Sequence, residues 1–161
     1  MAVTSDIAAS YRGPGRVVRR LLQMGQREDR ALAFLMAGCV LVFVAQMPRL
    51  AREAHETGQE LNMLMGASLL AWVIFAPILF YVIAALSHLL ARLVGGRGDW
   101  YGARLALFWA LLAAAPVLLL HGLVAGLIGP GPALDMAGGL ALGVFLWFWL
   151  AGLRQAERAP A

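Results

Sequence analysis

MLMGASLLAWVIFAPILFYVIAALSHLLA, residues 63–91, runs for 29 positions without an Asp, Glu, Lys or Arg. As a helix it would be about 43 Å long, more than the roughly 30 Å hydrocarbon core of a bilayer. Only helices and closed barrels satisfy every backbone polar group where there is no water, and a run of this length and composition reads as helix. Three more charge-free runs accompany it, at residues 31–47, 105–128 and 136–153. Together they predict an all-α fold, a polytopic transmembrane helical bundle of four spans, with residues 1–161 forming a single membrane domain.

Composition agrees with that reading. The chain has 161 residues, 61% apolar and 14% charged, with a mean hydropathy of +0.76. That leaves little for a soluble module. All 13 basic residues are Arg, a usage that GC-rich coding explains more simply than phosphate recognition by guanidinium forks. The net charge of +4 argues for nucleic acid only where basic residues form a soluble face. Here they flank spans, so no nucleic-acid partner is expected. Six Arg precede the first span, three lie between residues 92 and 104 and two follow the last span, whereas the other connections hold Arg49 and Arg52 alone. The positive-inside rule then places both termini and the residue 94–99 turn in the cytoplasm.

The N-terminal lead, residues 1–30, contains an amphipathic segment. Pro14 suits a helix start, and Val17, Val18, Leu21 and Leu22 alternate in helical spacing with Arg16, Arg19, Arg20 and Gln23. Such a helix either lies in the headgroup plane or docks on the bundle. In both cases Arg16, Arg19 and Arg20 are the residues to meet lipid or a partner. Between the first two spans, residues 49–62 suit a short amphipathic helix along the outer surface. Pro77, in the middle of the second run, predicts a tilted and kinked single helix, with a re-entrant element as the other arrangement. Pro116 sits at the midpoint of the third run, and both prolines are candidate hinges. Gly129, Pro130, Gly131 and Pro132 stop that run.

Groups with chemical potential are few. His88 lies four residues before Arg92, whereas His121 lies 17 beyond Arg104, about 25 Å toward the opposite face. The two cannot share a metal or a haem. Each reads as a histidine hydrogen-bonded between helices, with Ser87 or a carbonyl freed by proline as neighbour. His55 with Glu53 and Glu56 is a weak metal candidate. Ser5, Ser10, Ser68 and Ser87 lie in no nucleophile-elbow pattern, and the spans hold no paired acids. Cys39 reads as a small packed residue: Leu35-Met36-Ala37-Gly38-Cys39 is similar to a lipid-attachment box, but a span continues after it. No catalytic residue, metal or cofactor is expected. Gly122 and Gly126, and Gly139 and Gly143, stand four apart on either side of the Gly-Pro-Gly-Pro turn and predict close packing of the third span on the fourth.

Gly95-Gly96-Arg97-Gly98-Asp99-Trp100-Tyr101, then Arg104 and a small-residue and aromatic helix leading to Pro116, resembles the core of the bacterial Yip1-domain family. Tyr11-Arg12-Gly13-Pro14 before a basic segment is similar to the lead-in of those proteins. The resemblance implies a polytopic helical protein of the cytoplasmic membrane without established catalytic residues. Members are often described with five spans, and four are found in this sequence. The expected function is a non-enzymatic accessory or scaffold that binds membrane lipid and another membrane protein or a second copy of itself. The alternative is a small transporter or lipid-handling protein that uses the proline-kinked helices.

Overall fold

The computed structural model describes residues 2–158. They form helices α1 (Val3–Ser10), α2 (Pro14–Gln23), α3 (Glu28–Thr57), α4 (Leu61–Leu70), α5 (Ala76–Leu93), α6 (Trp100–Ala113), α7 (Ala115–Leu127) and α8 (Pro132–Arg158). A π-helical segment, Ala71–Phe75, joins α4 to α5. No strand occurs among the described residues. Of the expected tail, residues 154–161, the last three lie outside the described residues.

Among the described residues three helices are long and apolar enough to cross a bilayer: Glu28–Thr57, Leu61–Leu93 and Pro132–Arg158. The pair α6 and α7, bent by 45° at Ala114, makes a fourth if taken as one broken span. Helix α6 is the axis of the fold. Every residue from Tyr101 to Ala113 except Arg104 is buried, and α1, α2, α3, α5 and α8 all pack on it. With no polar face apart from Arg104, α6 can be enclosed completely by other helices.

Four local outcomes depart from, or sharpen, the expectations. First, α3 does not stop near Pro48, and no separate helix covers residues 49–62. Arg49 pairs with Glu53 and Arg52 with Glu56 one turn on, which carries the helix past the proline to Gly58. Gly58, at φ +72°, ends it in the left-handed conformation, its N–H donating to Ala54 O.

Second, Leu61–Leu93 is one rod rather than a re-entrant pair. The widened π turn falls immediately before Pro77, where a proline ring crowds the preceding turn. Third, Pro116 is not mid-helix: it occupies the first turn of α7, where a backbone N–H has no intrahelical acceptor to miss. Fourth, α2 docks on the bundle. Val17, Val18 and Leu21 are buried against α6 and α8 rather than offered to lipid.

Candidate functional site

One end of the bundle gathers most of the arginines and nearly all of the interhelical polar contacts. Its centre is the glycine-rich turn between α5 and α6. Gly95 (φ +93°) donates to Arg92 O, and Gly96 donates to Ala91 O at 2.8 Å, closing α5 with a Schellman motif. Asp99 opens α6, its Oδ1 accepting from Gly102 N at 2.7 Å, and Gln26 donates to its other oxygen.

Glu157, near the end of α8, holds this turn in place. Its Oε2 accepts from Gly98 N at 3.1 Å, and its backbone carbonyl accepts from Arg97 N at 2.9 Å. Its Oε1 lies 2.8 Å from His88 Nδ1, the ring N–H donating to the carboxylate. His88 is 1% exposed, and its ring sits 4.5 Å from that of Trp100. A side chain on Gly98 would fall 2.3 Å from Ala156 O, and one on Gly96 would fall 2.6 Å from Glu157 Oε2. These glycines are therefore needed for contact with α8 as well as for turning. His88 is a hydrogen-bonded histidine between helices, as expected, but its partner is Glu157 on α8, 69 residues away, while Ser87 donates to Ala84 O on its own helix.

The N-terminal hairpin of α1 and α2 is bolted to the same end. Arg19 donates twice to Gln155 Oε1 on α8, at 3.1 and 3.0 Å. Arg20 pairs with Asp6 of α1. Arg30 donates to Leu21 O, Gly25 O and Tyr101 Oη, tying α2, α3 and α6 together. Arg104 pairs with Glu28 across α6 and α3. Of the arginines expected to meet lipid or a partner, Arg16 and Arg19 are exposed, while Arg20 is half-buried beside Asp6. Arg12, Arg16 and Arg20 line a surface recess of about 480 Å³ on this hairpin.

A second recess, about 590 Å³, opens between α5 and α8 beside the glycine turn. Its walls include Leu90, Val94, Leu150 and Leu153, with Arg154 and Arg158 also on its lining. Trp149 lines it too, and the indole Nε1 of that residue is buried without a hydrogen-bond partner.

The glycine pairs behave differently from expectation. Gly122 and Gly126 face α3: an added Cβ would stand 1.9 Å from Ala45 O at the first and 2.3 Å from Pro48 Cβ at the second. Gly139 and Gly143 meet nothing within 4 Å. Helices α7 and α8 do touch, but the close backbone approach is between α7 and α3. Connectivity suggested a glycine-to-glycine hairpin, whereas the 45° bend at Ala114 turns this face of α7 onto α3.

The metal candidates do not converge. Among the described residues no group of three or more His, Cys, Asp or Glu is gathered. Glu53 and Glu56 are engaged by Arg49 and Arg52. His121 lines an apolar recess with Trp72, Phe80 and Phe145, and Cys39 is buried. Glu157 and Tyr11 carry contacts that the sequence did not assign to them. The one available signal was an acid set between Arg154 and Arg158 in an otherwise basic tail.

An enclosed apolar helix, three or four spans and an arginine-rich end define a multi-pass helical membrane protein. The Yip1 domain matches residues 9–160, and the chain belongs to the Yip1-domain family, which is not a family of known enzymes. No curated protein and no solved structure matches the chain.

Proposed function

We propose that this protein is a non-enzymatic accessory or scaffold of the cytoplasmic membrane, with both termini inside, that binds lipid and another membrane protein or a second copy of itself. The observation that carries the reading is the unequal use of the long helices. In Glu28–Thr57, 44% of the most apolar stretch is buried within the chain, against 11% in Leu61–Leu93. A helix of 33 residues that contributes so little to its own core is available to neighbours in the bilayer.

The arginine-rich end supports the same role. Arg12, Arg16 and Arg19 are exposed on a hairpin held rigidly by the core, a placement suited to anionic headgroups or an acidic partner surface. Affinity purification from native membranes in a mild detergent, followed by mass spectrometry of the intact assembly, tests the proposal. Recovery of a stoichiometric protein partner, a homo-oligomer or retained lipid is the expected result. A bare monomer would overturn it.

A further inference from the structure

We propose that the recess between α5 and α8 is a binding site for one phospholipid of the arginine-rich leaflet, a reading that rests on the lipid-binding half of the function proposed above. Three features meet there. The recess, about 590 Å³, falls within the roughly 300–1,000 Å³ of small-molecule clefts, and its apolar wall of Leu90, Val94, Leu150 and Leu153 matches an acyl chain. Arg154 and Arg158 lie one turn apart on α8 at its edge; both are exposed, and neither makes an ion pair among the described residues. Trp149, at the end of the recess away from Arg154 on α8, adds its ring to the wall.

Along α8 the residues of the recess run from Arg158 and Arg154 through Leu153 and Leu150 to Trp149, which lies five residues from Arg154, or about 7 Å along a helix. A phospholipid has the same order, phosphate first and acyl chain after it. The guanidiniums hold the phosphate, and one acyl chain runs along Leu153, Leu150 and the ring of Trp149. Glu157 also lines the recess, but its carboxylate is committed to His88 and Gly98 N. The free charge at the edge is therefore positive, which selects an anionic headgroup over a zwitterionic one.

The test measures phospholipid retained by the full-length purified protein after equilibration with vesicles of phosphatidylglycerol or of phosphatidylcholine, by native mass spectrometry. Wild-type protein retains one lipid per chain and prefers phosphatidylglycerol. Arg154→Gln with Arg158→Gln lowers phosphatidylglycerol retention about tenfold and removes the preference. Leu150→Ser with Leu153→Ser, which makes the wall polar, lowers retention of both lipids severalfold. Arg49→Gln, far from the recess on α3, leaves retention unchanged. Equal retention by all variants, or equal loss in the Arg49 variant, would overturn the site while leaving the accessory role standing. A wild type that is bare of lipid but bound to a protein partner would do the same. A wild type bare of both would remove the site and the proposed function together.

Discussion

The hydroxyl of Tyr11 donates to the carbonyl of Ala113 at 2.9 Å, across 102 residues of chain. The bond answers a need created by Pro116. Val117 N turns to Ala114 O instead of continuing the α-helical pattern to Ala113 O, so the α6 to α7 bend leaves the Ala113 carbonyl to be satisfied from elsewhere. Next to it, Trp109 Nε1 donates to Ser10 Oγ at 3.0 Å, and Ser10 in turn donates to Asp6 O at 2.9 Å. The N-terminal hairpin is thus a cap for the central helix. Tyr11→Phe will lower stability by about 1–2 kcal/mol, read as a fall in the detergent-solubilised unfolding midpoint.

The same residue gives a pH dependence. Burial raises the Tyr11 phenol above its ordinary 10.0, so the folded state retains this proton where the unfolded state has lost it. The contribution is complete below pH 10 and is lost as pH rises through the folded-state value. Unfolding midpoints measured between neutral and strongly alkaline pH will fall less steeply in Tyr11→Phe than in wild type.

Substitution of glycines will separate internal packing from partner contact. Gly122→Ala and Gly126→Ala place a methyl against the α3 backbone near Ala45 and Pro48, and each will cost about 2–3 kcal/mol. Gly139→Ala and Gly143→Ala meet open space and will be neutral or stabilising by up to about 1 kcal/mol from helix propensity. Loss of a co-purifying partner in the second pair, with stability kept, will identify this face of α8 as its contact.

Glu157→Ala breaks a buried pair with His88 and releases Gly98 N. The expected cost is roughly 3 kcal/mol. Because the Arg97 amide is also held by the backbone of α8, loosening of the turn is expected to appear as faster tryptic cleavage after Arg97. Glu157→Gln retains an oxygen for one of these two donors and will show a smaller effect than Glu157→Ala in both measurements.

Replacing Pro77 and Pro116 by Ala distinguishes an accessory from a transporter. If the prolines only shape the helices, the double variant will express, insert and recover the same partners as wild type. Loss of a transport or lipid-handling phenotype with expression intact would favour the moving-helix alternative.

Orientation is accessible through thiols, since Cys39 is the only cysteine and is buried. In intact cells an impermeant maleimide will label Gln59→Cys and spare Arg97→Cys. The reverse pattern would invert the assigned topology.

The sequence by itself determined that the chain is helical and membrane-embedded, because charge-free runs as long as residues 63–91 have no other stable way to satisfy their backbone. It also marked the glycine turn at residues 95–98 and the amphipathic face of α2, since local backbone demands and helical periodicity are written in neighbouring residues. Tertiary structure alone decided which partners meet. That α7 presents Gly122 and Gly126 to α3 follows from the bend at Ala114. That His88 finds Glu157 near the start of α6, and Tyr11 finds Ala113 at its end, depends on how the other helices pack around α6. Contacts between residues 69 and 102 positions apart leave no periodic trace: they arise from where whole helices cross, and a crossing is set by side-chain relief along both of them.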